Sequence, residues 1–134
     1  MIEIHESYKV FVPPPWFRPT VERLLISLRA EHLGRLQSVV LTDSASIGRG
    51  KTRRVEGKKY DRNSCRGFYH REWHGEPAWI QLVTDNIVAG YAASPLLRLQ
   101  PFRDQAVAEV LFHEVGHHLH TTVGSATSGG EKSA

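Results

Sequence analysis

The stretch His113-Glu114-Val115-Gly116-His117-His118-Leu119-His120, near the end of a chain of 134 residues, decides how the rest of the sequence is interpreted. It contains the pattern His-Glu-x-x-His, with His113 and His117 four residues apart and Glu114 beside the first. On an α-helix, residues four apart lie one above the other on one face. Two imidazoles placed in this way can bind one zinc ion while the neighbouring carboxylate reaches the metal-bound water.

The residues around this pattern favour a helix. Asp104 is a suitable N-cap, so we expect the helix to begin near Arg103 or Asp104 and to run to about Thr121. Gly124 is the predicted terminator of the helix. Gly116 weakens a helix interior, and its presence suggests that another group approaches the backbone closely at this point.

A helical wheel separates the histidines from the apolar residues. With His113 set at zero and about 100° added per residue, His117 falls near 40°, His120 near −20° and Glu114 near 100°. The apolar residues fall between about 120° and 260°, and they are Val107, Ala108, Leu111, Phe112, Val115 and Leu119. We therefore predict an apolar buried face and, opposite it, a histidine face directed into a cleft. His118 points away from the histidine face and is not expected to be a ligand.

The remaining sequence predicts one small α+β domain. A helix with its N-cap at Thr20 repeats apolar residues at helical spacing until Gly34. Leu36–Thr42 reads as a strand because β-branched residues occupy its centre. The runs 67–73 and Ala78–Val83 are separated by a turn-rich sequence and form a predicted antiparallel hairpin.

The two ends of the chain are predicted to be peripheral. Residues 1–18 are expected to form an N-terminal arm or a short strand, in which Trp16 and Phe17 act as docking anchors. A loop is predicted over 85–95. Small polar residues fill 125–134, which reads as a flexible tail or as the beginning of something longer.

Composition limits the class of protein. Hydrophobic residues make up 40% of the chain and charged residues 23%, as in ordinary globular domains. Cys65 is the single cysteine, so no intramolecular disulfide can form, which favours a reducing compartment. The N-terminus lacks the pattern of a signal peptide, and no apolar run approaches the length of a membrane span. We expect a soluble cytoplasmic protein that does not associate with membranes.

The segment 49–66 is strongly basic, and the net charge of the chain is +3. Its basic residues are Arg49, Lys51, Arg53, Arg54, Lys58, Lys59, Arg62 and Arg66. A solvated loop is the simpler interpretation of this segment. The alternative is a surface that binds a nucleic acid or another acidic partner, which would make the chain a binding module and not an enzyme.

At the His-Glu-x-x-His residues the sequence resembles the zincin metallopeptidases. The order helix, strand, basic loop, hairpin and active-site helix is also similar to the N-terminal subdomain of that clan. The resemblance implies a zincin-like fold with a small antiparallel or mixed sheet, zinc bound by His113 and His117, and Glu114 as catalytic base. It further implies a peptide or protein substrate, bound along an edge strand at Ala78–Val83. The motif covers about the last quarter of the chain.

The resemblance leaves the third zinc ligand open. The metzincin extension would require Gly at 120 and His at 123, whereas this chain has His120 and Val123. The closer likeness is to compact, single-domain gluzincins, in which a later glutamate binds the metal, and Glu131 is the candidate. His120 is the competitor, either as a ligand or as a group near the metal or the substrate. Tyr91 is a further candidate for contacting the substrate, and the oligomeric state is left open.

Overall fold

A computed structural model describes residues 2–47, 52–55, 58–61, 64–89 and 100–126, with the backbone alone described for 52–55, 58–60 and 122–126. This part of the chain has a mixed α+β fold with six strands and three helices. In chain order they are β1 (Glu3–Ser7), α1 (Phe17–Ser27), β2 (Leu36–Thr42), β3 (Thr52–Val55), β4 (Lys58–Asp61), β5 (Gly67–His70), β6 (Ala78–Val83), α2 (Thr84–Ala89) and α3 (Gln100–Ala126). Short 3-10 turns occupy Ala30–Leu33 and Ser44–Ile47.

A four-stranded mixed sheet has the order β1-β2-β6-β5. β1, β2 and β6 are parallel to one another, and β5 is antiparallel to β6. β1 is therefore a paired strand, so of the two possibilities for the N-terminal arm the short strand is observed. The prediction that Ala78–Val83 is an edge strand was wrong, because β2 and β5 flank β6 on either side. Its nearly continuous apolar sequence, AWIQLV, is typical of a strand buried on both faces.

The hairpin between β5 and β6 confirms the prediction for this region. Its turn has His74 and Gly75 in the left-handed region, with φ of 47° and 83°. Backbone hydrogen bonds join Trp73 and Glu76 in both directions, at 3.1 and 2.8 Å. A two-residue turn with positive φ at both positions matches the twist of the flanking strands, which explains why glycine follows His74.

Helices α1 and α3 pack on the sheet and enclose the main core. The core residues come from α1 (Phe17, Val21, Leu25), from the sheet (Leu36, Val39, Leu41, Ala78, Ile80, Leu82), from α2 (Ile87) and from α3 (Val107, Val110, Leu111, Val115). Phe17 is completely buried, which confirms its predicted role as an anchor. α1 begins at Phe17, three residues before the predicted N-cap Thr20. Thr20 consequently lies inside α1, where its hydroxyl donates to the Trp16 carbonyl oxygen at 2.7 Å.

Other helix bounds also differ from the prediction. α1 ends at Ser27, well before Gly34, because Leu28 is extended. α3 begins at Gln100 and ends at Ala126, so Asp104 is inside the helix and Gly124 does not terminate it. Arg23 donates two hydrogen bonds to the Asp104 carboxylate and thereby joins α1 to the start of α3.

One further difference concerns the connection after β6. Thr84–Ala89 forms α2, where a loop was predicted. No described helix has both the length and the apolar composition that would allow it to cross a membrane.

Asp43 fastens the chain after β1 to the end of β2. Its side chain is completely buried, and one carboxylate oxygen accepts the consecutive backbone N–H groups of Lys9, Val10 and Phe11 at 2.8–3.0 Å. The other oxygen accepts from the backbone and the hydroxyl of Ser46. Burial alone would raise the pKa of Asp43, but these five hydrogen bonds outweigh it and lower the pKa to about 2.

Candidate metal centre

The two histidines of the predicted pair lie on the exposed side of α3. The Nε2 atoms of His113 and His117 are 3.2 Å apart. Their ring centroids are separated by 4.7 Å, and the ring planes are nearly perpendicular, at 88°. The helix therefore brings one nitrogen from each ring to a common point, as the four-residue spacing predicts.

This separation fits the requirements of a single zinc ion. Zinc–nitrogen bonds of about 2.0–2.1 Å at the tetrahedral angle place two ligand nitrogens about 3.3 Å apart. The observed 3.2 Å between His113 Nε2 and His117 Nε2 agrees with that value. The same separation also allows one neutral ring to donate a hydrogen bond to the other. A zinc-binding measurement distinguishes a metal site from a hydrogen bond between the two rings.

Glu114 lies on the buried side of α3, with only 6% of its surface exposed. The buried residues of the helix are Ala106, Val107, Val110, Leu111, Glu114, Val115 and His118. On the predicted wheel they are centred near Glu114, at about 110°, and not opposite the histidines. Phe112 was expected in the buried face, but it is 39% exposed. The helix is thus rotated by about a quarter turn from the prediction, since its contact with the sheet includes polar residues.

Gly67, at the start of β5, leaves space for the Glu114 carboxylate. A Cβ at residue 67 would lie 3.1 Å from Glu114 Oε2, 2.9 Å from Val110 Cγ1 and 3.3 Å from the Gln81 carbonyl oxygen. Real Cβ atoms essentially never come as close as 2.9 Å to another heavy atom. Glycine is therefore required at this position if α3 is to pack as closely as it does. The sequence analysis did not identify Gly67 as part of the site.

His118 is buried, and both of its ring nitrogens are engaged. Nε2 lies 2.7 Å from the Gly34 carbonyl oxygen, and Nδ1 lies 2.7 Å from the Tyr69 hydroxyl. Only 1% of its surface is exposed. His118 therefore links α3 to β5 and to the turn that precedes β2. Neither of its ring nitrogens is directed toward His113 and His117.

The described part of the chain contains no group of three or more His, Cys, Asp or Glu residues that could hold a metal ion. His120 is exposed on α3 but does not form such a group with His113 and His117. The third-ligand candidate Glu131 and the substrate-contact candidate Tyr91 both lie outside the described residues. The structure thus gives the two-histidine half of the predicted centre.

Gly116 lies on the exposed face of α3, between the two histidines. Among the described residues, no heavy atom lies within 4 Å of the position that a Cβ would occupy. The expectation that a nearby group requires this glycine is therefore not met within the described residues.

The basic segment forms a β-hairpin over part of its length, where a loop was the simpler prediction. β3 and β4 pair in antiparallel register, with Arg53 opposite Tyr60 and Arg54 opposite Lys59. The last basic residue of the segment, Arg66, is exposed. Like charges directly opposite each other destabilise a strand pair unless anions neutralise them.

No protein-family profile, no curated protein and no solved structure matches this chain. We therefore base its function on the chemistry of its own residues. The strongest chemical feature is the convergence of His113 Nε2 and His117 Nε2, with the Glu114 carboxylate on the sheet side of the same helix.

Proposed function

We propose that this protein is a zinc-dependent metallopeptidase of the compact, gluzincin-like type. His113 and His117 hold the metal, and Glu114 is the general base. The observation that carries the proposal is the 3.2 Å separation of the two Nε2 atoms. When bound in such a site, zinc supplies a water molecule that loses its proton near neutral pH.

Glu114 is suited to the role of base by its position. Its carboxylate lies against Gly67 at the start of β5, where burial limits its access to bulk water. Held in this way, the carboxylate accepts a proton from the attacking water and later passes it to the leaving amine. The substrate class that fits this chemistry is a peptide or protein.

The fold supports a zincin-like arrangement in its element order. A helix and parallel strands precede an antiparallel hairpin, and the histidine helix follows the hairpin. In the described sheet β5 is the edge strand next to β6. β5 therefore replaces β6 as the strand proposed to bind an extended peptide substrate. Glu131 remains the proposed third ligand.

Zinc titration of the purified protein tests the proposal. We expect one zinc ion per chain, with binding lost in His113→Ala and in His117→Ala. Gln105→Ala, an exposed change on the same helix, is the matched control and should keep the metal. Glu114→Gln should bind zinc but lose peptide hydrolysis. Zinc binding that persists when both His113 and His117 are replaced would refute the site.

A second candidate function is nucleic-acid binding through the β3–β4 hairpin. The pairing of Arg54 with Lys59 favours it, because a phosphate backbone would neutralise both residues. Affinity for a single-stranded oligonucleotide should then fall steeply with salt, with a slope of about −0.7 per phosphate contact. Replacing Arg53, Arg54, Lys58 and Lys59 with glutamine should flatten that slope by up to about 3. A slope unchanged by these four replacements would exclude this surface.

A further inference from the structure

We propose that Tyr69 and His118 are positioning residues that fix the register of α3 on β5 and so hold Glu114 in its place. The inference rests on the proposed function in so far as Glu114 acts as the base. The proposal assigns a role to the hydrogen bonds that His118 makes with Tyr69 and Gly34, which lie outside the two-histidine motif.

The direction of each hydrogen bond in this chain follows from the chemistry of its groups. A carbonyl oxygen only accepts, so His118 Nε2–H donates to the Gly34 oxygen. In the neutral ring, Nδ1 then accepts, and the Tyr69 hydroxyl is its donor. The single histidine therefore bridges two segments that lie on different sides of it, β5 and the turn before β2.

The contacts of α3 with β5 repeat at matching intervals. Glu114 contacts Gly67, and one turn later His118 contacts Tyr69. Four helical residues advance about 6 Å, and two strand residues advance about 6.6 Å. Because the two repeats nearly coincide, Gly67 and Tyr69 place successive turns of one helix side against one face of one strand.

The two contacts have different physical characters. Gly67 gives close approach without direction, since it offers only backbone and hydrogen atoms to Glu114. The bonds of His118, both 2.7 Å long, are directional, and the ring that makes them is only 1% exposed. Breaking one would leave a buried polar atom without its partner, which costs about 1–3 kcal/mol. The His118 bonds therefore set the rotation and axial position that the glycine contact permits.

The distance between His113 and His117 does not depend on the hydrogen bonds of His118. His113 and His117 belong to the same helix, so sliding or rotating α3 changes their position against the sheet but not their mutual distance. Loss of the Tyr69 hydroxyl should consequently leave zinc affinity unchanged. It should move Glu114 away from Gly67, and displacements of about 1 Å in such a group can reduce turnover by about a hundredfold.

The test uses Tyr69→Phe, which removes one oxygen and keeps the ring. In isotopically labelled protein, long-range proton–nitrogen spectra should show the Nε2–H form of His118 in the wild type. The NOE between the Gly67 α-protons and the Glu114 side chain should fall at least threefold in the variant. His118→Gln retains an amide donor for the Gly34 carbonyl. The Gly67–Glu114 NOE should therefore fall less in His118→Gln than in His118→Ala.

The enzymatic measurement separates positioning from general stability. Tyr69→Phe should keep one zinc per chain, reduce kcat at least tenfold and leave KM within about twofold. Asp43→Asn, which weakens the fold at the far end of β2, is the destabilised control and should leave both kcat and the NOE unchanged. Gln105→Ala, an exposed change on α3, is the surface control.

Three results would overturn the proposal. One is an unchanged NOE in Tyr69→Phe, and another is an unchanged kcat in an active enzyme. The third is an equal loss of kcat in Asp43→Asn, which would assign the effect to stability. If the wild type lacks zinc or hydrolytic activity, the metallopeptidase proposal fails, and the NOE alone then decides for or against the positioning role.

Discussion

The buried carboxylate of Asp43 gives the most direct test of how the sheet is held together. Asp43→Asn keeps the size of the side chain but leaves only one acceptor oxygen. That oxygen can still face the N–H groups of Lys9, Val10 and Phe11, whereas the new amide group would then face the two Ser46 donors. We expect the free energy of unfolding at pH 7 to fall by about 2–3 kcal/mol.

The pH dependence provides an independent magnitude. The pKa of Asp43 is lowered from 3.8 to about 2 in the folded protein, and at about 1.36 kcal/mol per unit the difference is worth about 2.5 kcal/mol. The folded state binds this proton less readily than the unfolded chain. The stabilisation is therefore present above pH 4 and is lost as the pH falls toward 2.

Urea unfolding between pH 7 and pH 2.5, followed by tryptophan fluorescence, measures both effects. The wild type should lose about 1.4 kcal/mol more than Asp43→Asn does between pH 4 and pH 2.5. Glu3→Gln removes an exposed carboxylate on β1 and should change stability by less than about 0.5 kcal/mol at pH 7. Parallel pH curves for the wild type and Asp43→Asn would refute the role assigned to this carboxylate.

Three further predictions concern α3 and its contact with β5. Zinc at a hundred times its dissociation constant should stabilise the wild type by about 2.7 kcal/mol in thermal unfolding, and should not stabilise His113→Ala. Gly116→Ala should raise stability by up to about 1 kcal/mol, because no described atom occupies the space of the new methyl group; a destabilised variant would show that another group does. Gly67→Ala should lower stability by about 1–3 kcal/mol, since the methyl group would overlap Val110, and unchanged urea unfolding would contradict the close packing of α3 on β5.

Much of the fold was predictable where short segments determine it. The strand Leu36–Thr42 was predicted with its observed bounds, and the β5–β6 hairpin follows from a turn sequence between two β-rich runs. Helix bounds were less predictable, because a buried Phe17 and the ion pair of Asp104 override the preferences of isolated capping residues. The apolar sequence of β6 indicates a strand buried on both faces, but it does not specify which distant strands pair with it.

The candidate site was likewise predictable only where neighbouring residues determine it. His113 and His117 could be paired from the sequence because the helix alone sets their spacing. The partners of His118 could not, since Tyr69 is 49 residues away and Gly34 is 84 residues away. The only sequence signals for these contacts were a glycine opening a strand and a histidine directly after the motif, and neither specifies a partner.

The two halves of the candidate site differ in when they can form. β5 belongs to a hairpin closed by a two-residue turn, and such hairpins form within microseconds. The residues of α3 that complete the candidate site are distant from β5 in the sequence, and such long-range contacts form more slowly. During synthesis every strand of the sheet also leaves the ribosome before His113 does. The strand face that receives Glu114 and His118 is therefore synthesised before α3, the last described element of the chain.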